Sequence, residues 1–205
     1  RSVIPLNIGL PFINFYLKQH FEYSYEKPML KSLFTLSSIM EYHILATVNK
    51  DLPRVVDLNQ GALPAVSSIT LDDMIHFLEI VDYFRVIKIN SNIIGFLIAL
   101  TPGKDYQSPN YKWFEKQYSQ FMYVDRIVIN PAFRGKGLGR AFYDDLKIFS
   151  QGVSPIITCE VNLRPPNKGS ILFHEKYGFE KVWTQKTESG NKEVSLMVYK
   201  IPVNR

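Results

Sequence analysis

The chain has 205 residues, a formal net charge of +5 and 46% hydrophobic residues, a composition typical of one globular domain with a sizeable core. The charge is modest and forms no long basic run, so nucleic acid is not an expected partner. A single cysteine, Cys159, excludes an internal disulfide and a cysteine-based zinc cluster, and no apolar run is long enough to predict stable membrane insertion.

Residues 1–39 differ in character from the rest of the chain. Ile4–Leu17 is apolar but is interrupted by proline and asparagine, and it lacks the basic start and the cleavage site of a secretory signal. One interpretation is a weak targeting or membrane-surface segment, and another is a disordered extension. Met40 directly precedes the first clear element, so we expect the native start there and assign the domain to residues 40–205.

The segment from residue 41 to residue 100 predicts a strand, two helices and a hairpin. Asp51 and Thr70 are suitable N-caps for the two helices, and Asn90-Ser91-Asn92 is a suitable tight turn for the hairpin. The predicted bounds are a strand over Glu41–Val48, a helix from Asp51-Leu52-Pro53 to near Gln60-Gly61, a helix over Leu71–Glu79, and strands over Val81–Ile89 and Ile93–Leu100.

The segment Thr101–Gln120 reads as a long polar and aromatic connection, and long ordered loops are candidates for functional surfaces. Beyond it the pattern returns to alternating strands and helices. The predicted elements are strands over 121–129 and 156–161, helices over 137–150 and Asn167–Tyr177, and a final hairpin of Val182–Gln185 and Val194–Tyr199 around Ser189-Gly190-Asn191.

The strongest chemical signal lies between the strand over 121–129 and the helix that follows it. The glycines at positions 135, 137 and 139 leave the backbone N–H groups open at the start of that helix, where anions are favoured. Basic side chains on both sides of the glycines add positive charge. A pyrophosphate group fits this pattern.

The spacing of the glycines shows which kind of phosphate-binding motif this segment resembles. The lysine and Ser/Thr that end a nucleotide-triphosphate loop are missing after Gly139. Their absence argues against a nucleotide-binding protein. The spacing also departs from the Gly-x-Gly-x-x-Gly of dinucleotide sites. The order Arg134-x-x-Gly137-x-Gly139 after a strand resembles the acyl-CoA site of the GNAT acetyltransferase superfamily. A second motif resembles the next helix of that superfamily and consists of Asn167, Ser170, His174 and Gly178-Phe179.

The resemblance covers most of the chain, from about Tyr42 to Ile201, and is closest to a bacterial-type branch of the superfamily, judged by Asp105–Trp113 and Cys159–Asn167. It implies an α/β (mixed α+β) fold with one mixed, centrally splayed sheet of about seven strands, flanked by about four helices on both faces. It also implies acetyl-CoA as the cofactor, with its pantetheine arm in the splay between the strands over 121–129 and 156–161.

The cofactor-binding residues follow from the same resemblance. A backbone N–H near Ile127 or Val128 would polarise the thioester carbonyl, and Asn167 would contact the pantetheine arm, cap its own helix, or do both. The full expected set is Ile127, Val128, Ile129, Arg134, Gly135, Lys136, Gly137, Leu138, Gly139, Arg140, Asn167 and Ser170.

Acyl transfer to an amine needs a base, because most amines are protonated at neutral pH. Asp125 and Glu160 are candidates, since a carboxylate in a partly apolar cleft has a raised pKa. By strand alternation, the Asp125 side chain is expected on the side opposite to Arg126. The alternative for Asp125 is a structural ion pair with an arginine.

The leaving thiolate also needs a proton. His174 stands where the resembled family usually has a tyrosine, so it is a candidate acid, with an alternative role as a hydrogen-bonded partner of the cofactor. Tyr177 is expected to pack in the core. Cys159 lies in a predicted strand and is expected to be a buried hydrophobe rather than a nucleophile.

The acceptor side is less clear. Aromatic and amide residues flank the acceptor cleft of the resembled fold, and they either bind the amine or anchor loops onto the core. The candidate acceptor-binding residues are Asn59, Tyr106, Tyr111 and Trp113.

The sequence therefore predicts an acetyl-CoA-dependent N-acetyltransferase that uses direct attack by a primary amine of a small molecule or peptide. The alternative is a non-catalytic acyl-CoA-binding or regulatory module, which the missing tyrosine favours. We expect a cytoplasmic monomer or homodimer without a metal ion, since the single cysteine is compatible with a reducing compartment.

Overall fold

The computed structural model of the protein describes residues 40–187 and 190–202. The interpretations of residues 1–39, and the first part of the turn around Gly190, lie outside these residues. The described chain forms one seven-stranded mixed sheet with five α-helices, in agreement with the predicted fold class. None of the described helices is long and apolar enough to cross a membrane.

The strands are β1 (His43–Ala46), β2 (Tyr83–Ile89), β3 (Asn92–Leu100), β4 (Met122–Ile129), β5 (Ile156–Arg164), β6 (Glu180–Thr187) and β7 (Lys192–Lys200). The helices are α1 (Leu52–Gln60), α2 (Leu71–Ile80), α3 (Pro109–Gln117), α4 (Leu138–Ser150) and α5 (Lys168–Tyr177). The strand order in the sheet is β1-β2-β3-β4-β5-β7-β6. All neighbouring strands are antiparallel except β4 and β5, which are parallel.

The parallel pair opens after a short paired region. Pairing between β4 and β5 runs from Met122–Ile157 to Val124–Cys159 and then ends, while β4 continues to Ile129 and β5 to Arg164. The predicted splay of the sheet is therefore confirmed. Beyond Val124, the backbone of β4 that faces the gap has no partner strand among the described residues.

Helices α1 and α2 pack on the sheet in a cluster with Phe96, Ile98 and Val128. Helix α3 packs in a second cluster with Tyr123, Ile156 and other strand residues. Since successive side chains of a strand point to opposite faces, Cys159 points away from α3, towards Tyr143 of α4. The gap between β4 and β5 thus connects two helix-covered faces.

Several local predictions need correction. Thr101–Gln120 is not all loop, because Ser108 accepts a hydrogen bond from the Tyr111 N–H (3.4 Å) and starts α3 with Pro109 in its first turn. Asp51 stands at the N-cap position of α1, as predicted, but its side chain makes no capping hydrogen bond; its carboxylate instead bonds Lys88 Nζ at 2.9 Å. The strand predicted over Glu41–Val48 is shorter in the structure, where β1 spans His43–Ala46. The strand predicted over 156–161 is longer, since β5 spans Ile156–Arg164.

Strand alternation also breaks at Asp125. Strand β3 pairs Ile98 with Arg126 and Ala99 with Val124, so Asp125 is an extra residue in β4, a β-bulge. Its carboxylate Oδ2 accepts a hydrogen bond from Arg126 Nε at 3.0 Å. The expectation that Asp125 and Arg126 point to opposite sides is therefore wrong.

Candidate active site

A cleft of about 910 Å³ lies at the gap between β4 and β5, a volume within the range of small-molecule sites. The glycine turn before α4 forms one end of the cleft, and the loop between α1 and α2, with Tyr106 and Asn110, lines the other. Asp125, Glu160 and His174, the three predicted catalytic residues, all line it.

The glycine turn has the open backbone that an anion site requires. Gly135 and Gly137 have φ angles of +74° and +81°, in the region that favours glycine. No atom lies within 4 Å of the point where a Cβ would stand on either residue. Helix α4 begins directly after Gly137, so its first free N–H groups face this open space.

Gly139 is needed for another reason. A Cβ there would stand 2.9 Å from Phe173 Cζ, so this glycine allows α4 and α5 to pack closely.

Of the twelve expected cofactor residues, Lys136 alone does not line the cleft; its Nζ lies 5.3 Å from the centre of the Phe133 ring. Asn167 caps α5, since its Oδ1 accepts the Ser170 N–H at 3.2 Å.

Glu160 has the properties of a base. Its Oε2 is buried and has no hydrogen-bond partner among the described residues. Burial, and next the negative charge of Asp125, raise the pKa of Glu160 to about 7, although hydrogen bonds from Tyr123 and Asn110 oppose this rise. Gln185 Nε2 donates to Asn110 Oδ1 at 3.0 Å and so orients the Asn110 amide.

Asp125 is engaged in a structural network. One carboxylate oxygen accepts from Arg126 Nε and the other from the Tyr106 hydroxyl. The side chains of Asp125 and Arg126 are only 6% and 7% exposed. The ion pair considered as an alternative for Asp125 is therefore present, and neither oxygen is open to an incoming amine.

His174 is a neutral imidazole near neutral pH. The side chain is buried, and burial lowers the pKa of His174 to about 4. Because the Ser170 carbonyl oxygen can only accept, Nδ1 carries the proton in the 2.7 Å contact between them. Nε2 then accepts from the Tyr143 hydroxyl at 2.7 Å. The imidazolium considered for the acid step does not fit this environment.

Cys159 is buried, as expected, and burial raises the pKa of its thiol well above the ordinary value. It is therefore protonated near neutral pH. Tyr177 donates to Asp144 Oδ1 at 3.0 Å and packs on Phe179 and Tyr199.

Of the four candidate acceptor residues, only Tyr106 lines the cleft. Asn59 is fully buried and bonds Arg126 Nη1 and the Ser67 carbonyl. Tyr111 is fully buried, and its hydroxyl donates a hydrogen bond to the Thr101 carbonyl oxygen, which holds the turn over residues 101–104. Trp113 packs on Phe114. Asn59 and Tyr111 therefore anchor loops onto the core, whereas Trp113 also stacks on Trp183 of β6.

Sequence reasoning missed two features of the acceptor end. The first is Asn110, which the Ser108-Pro109 start signal of α3 would have located. The second is the loop over residues 62–67, which spans the gap. Arg126 of β4 bonds Ser67 (2.7 Å to its carbonyl oxygen), and Asn162 Nδ2 of β5 bonds the Pro64 and Ala65 carbonyls at 3.3 Å.

Comparison with known proteins agrees with this geometry. The family model described as the acetyltransferase (GNAT) family matches residues 52–179. No curated protein gives a significant match.

Several solved structures are similar to the chain. Ard1 from Thermoplasma volcanium is 17% identical, with a TM-score of 0.66 over 79% of this chain and 99% of its own. The ribosomal-protein-S18-alanine N-acetyltransferase from Escherichia coli is 17% identical, with a TM-score of 0.59 over 80% and 97%. The protein yncA from Salmonella typhimurium, solved with its cofactor acetyl-CoA, is 16% identical, with a TM-score of 0.60 over 80% and 96%. At these identities the likeness shows the shared fold.

Proposed function

Because the chain belongs to the GNAT acetyltransferase family, we propose that it transfers an acetyl group from acetyl-CoA, the cofactor of that family, to a primary amine by direct attack. The observation that carries this proposal is the buried, unpartnered Glu160 Oε2 in the cleft, on a carboxyl group whose pKa is raised to about 7. A group with that pKa is suited to general-base catalysis near neutral pH.

The residues at the glycine end fit a pyrophosphate group. Gly135 and Gly137 leave open space just before the start of α4, and Arg134 and Arg140 also line the cleft. We assign the pyrophosphate site to Gly135–Arg140 and the pantetheine site to the open edge of Ile127–Ile129. Acetyl-CoA supplies the acetyl group as an activated thioester.

Glu160 Oε2 has no hydrogen-bond partner among the described residues, whereas both oxygens of Asp125 are occupied. In its ionised form Glu160 accepts a proton from the incoming ammonium, so that the free amine can attack. Hydrogen bonding by Tyr123 and Asn110 limits the rise of the Glu160 pKa, and the 62–67 loop bonds to both strands of the gap. Cys159 is not used as a nucleophile, because its thiol stays protonated.

The acceptor is a primary amine of a small molecule or a peptide. A similar solved structure is an enzyme named for an alanine of ribosomal protein S18, which supports including peptide amino termini among the amines to be tested. The neutral state of His174 favours a second candidate, an acyl-CoA-binding module without turnover, because the predicted imidazolium acid is absent near neutral pH and the remaining ring proton is held by the Ser170 carbonyl oxygen.

The test is amine-dependent thiol release from acetyl-CoA. The full chain is mixed with acetyl-CoA and a panel of small primary amines, lysine-containing peptides and peptides with free amino termini. Free CoA thiol and the acetylated amine are measured together by absorbance and mass spectrometry. We expect both products in equal amounts with at least one amine class. Tight acetyl-CoA binding by calorimetry without either product would favour the binding module.

A further inference from the structure

The acceptor end of the cleft is built from pieces that are far apart in the sequence but joined by side-chain hydrogen bonds. The residues that line it include the loop over residues 62–67, Tyr106, Asp125 and Arg126 of β4, and Asn162 of β5. Arg126 and Asn162 are only 7% and 5% exposed. Buried polar side chains of this kind keep one arrangement, because an unpaired buried polar group is costly.

Arg126 ties the 62–67 loop to β4. Its Nη1 donates to the Ser67 carbonyl oxygen at 2.7 Å and to Asn59 Oδ1 at 2.8 Å, and its Nη2 donates to the Ser67 hydroxyl at 2.9 Å. Its Nε donates to one oxygen of Asp125 at 3.0 Å, and the other oxygen accepts from the Tyr106 hydroxyl. The same ion pair therefore fixes both Tyr106 and the loop.

Asn162 ties the same loop to β5. Its Nδ2 donates to the carbonyl oxygens of Pro64 and Ala65, at 3.3 Å each. Arg126 and Asn162 both follow the last paired position of their strands. The loop is thus bonded to β4 and to β5 where the two strands no longer bond to each other, and it braces the gap from strand to strand.

The braced opening lies next to the buried base. Glu160 is two residues before Asn162 on β5, and its Oε2 is buried without a hydrogen-bond partner among the described residues. Residues two apart on a strand point to the same face, so Glu160 and the Asn162 tie share one face of β5. An ammonium group that reaches Glu160 must therefore pass close to the braced loop.

We propose that Arg126 and Asn162 are positioning residues that hold the 62–67 loop across the gap, and that the opening they set selects an amine on an unbranched carbon. The substrate class is then a lysine side chain or a small linear alkylamine. The amino terminus of a peptide is disfavoured, because its α-carbon carries a carbonyl group as well as a side chain. This inference rests on the proposed acetyl-transfer function and narrows its acceptor.

The first experiment compares matched amines with the full wild-type chain. n-Propylamine and isopropylamine have the same atoms and differ only in branching at the carbon that bears the nitrogen. A second pair consists of a peptide with a blocked amino terminus and one lysine, and a lysine-free peptide with a free amino terminus. We expect kcat/KM to be higher for the unbranched member by about 10- to 200-fold, the range for one carbon in an apolar pocket.

The second experiment tests the tie to β5. Asn162→Ala removes the hydrogen bonds to the Pro64 and Ala65 carbonyls, so the ratio of kcat/KM between the unbranched and the branched amine should fall towards one. The Kd for acetyl-CoA from calorimetry should stay unchanged. A general loss of stability would lower both rates together and leave their ratio unchanged. Differences in intrinsic reactivity between the two amines cancel when the variant is compared with wild type.

Ser150→Ala is the matched control. It also removes a buried side-chain hydrogen bond, from Ser150 Oγ to the Leu146 carbonyl oxygen at 2.8 Å, but Ser150 does not line the cleft. This control should keep the wild-type ratio. Ser67→Ala is a milder change at the other tie, since it removes the hydroxyl bond to Arg126 and keeps the carbonyl bond. It should shift the ratio in the same direction as Asn162→Ala, but less.

The outcomes separate the two proposals. A wild type that acetylates the branched member of either pair as fast as the unbranched member overturns this inference and leaves the acetyl-transfer function in place. Folded Asn162→Ala and Ser67→Ala variants that both keep the wild-type ratio overturn the role of the two ties. A wild type that releases no thiol with any amine overturns the acetyl-transfer function, and this inference with it.

Discussion

At the scale of single residues, burial acts in opposite directions on the two titratable groups of the cleft. Burial disfavours charged forms, so it raises the pKa of a carboxyl group and lowers the pKa of an imidazole. The pKa of Glu160 rises to about 7, and the pKa of His174 falls to about 4. One physical cause thus places a base near neutrality and keeps the histidine neutral, which the residue types alone did not reveal.

The His174 ring is expected to stay neutral across the physiological range. Its NMR ring signals should not shift between pH 5 and pH 8. Since the folded pKa lies below the unfolded one, the unfolded state binds more protons, and stability falls as the pH drops from about 6.5 to 4. This group costs roughly 3 kcal/mol below that window. A His174 titration midpoint above pH 6 would contradict the account.

The Arg126 network is expected to contribute strongly to stability. Arg126→Ala leaves the buried Asp125 carboxylate without its cation, and breaking a buried pair in this way costs about 3–5 kcal/mol. Lys112→Ala is the control, because its pair with Glu115 is partly exposed and such pairs are worth about 0–1 kcal/mol. Urea unfolding of both variants measures the difference. Equal small losses would show that the network does not hold the 62–67 loop.

At the scale of elements, the strand, turn and helix from 121 to 150 were predictable because their signals are local. β-Branched residues, glycines and the 3.6-residue periodicity all lie within one short segment. The β-bulge at Asp125 was not predictable, since it is defined by pairing with Ile98 and Ala99 on another strand. Helix α3 was missed although Ser108-Pro109 is a local start signal, because its polar and aromatic residues lack clear apolar periodicity.

The glycine turn gives a prediction with a control on the same helix. Gly137→Glu places a carboxylate over the N-terminal anion site of α4 and should abolish measurable CoA binding in calorimetry. Gly152→Glu carries the same backbone strain, since its φ of +79° is close to the +81° of Gly137 and no atom lies within 4 Å of its Cβ position. Gly152 follows the other end of α4, so its variant should bind CoA like wild type. Unchanged CoA affinity in Gly137→Glu would remove the pyrophosphate site from this turn.

At the scale of the whole molecule, the candidate site is assembled from residues that are far apart in the sequence. Asn162 bonds the carbonyl of Pro64, 98 positions away, and Tyr143 bonds His174, 31 positions away. The resemblance to the family, which rests on local turn motifs, predicted the sheet and its splay. The acceptor end could not be predicted in the same way, since three of its four candidate residues do not line the cleft.

The domain assignment to residues 40–205 remains a prediction. The described residues contain the complete seven-stranded sheet and the cleft, so a chain that starts at Met40 should keep the melting temperature and the CoA affinity of the full chain. Differential scanning calorimetry and titration calorimetry on both chains measure this. A large drop in melting temperature would make residues 1–39 part of the folded structure.

The central claim is that the cleft transfers acetyl groups with Glu160 as the base, and the most direct test is the kcat of Glu160→Gln beside its Kd for acetyl-CoA. Glutamine keeps the shape of the side chain but cannot take a proton. We predict that kcat falls by about 10²- to 10⁴-fold, that the rise in rate near pH 7 disappears, and that the Kd for acetyl-CoA is unchanged. A folded Glu160→Gln variant with wild-type kcat and the same pH profile would contradict the account.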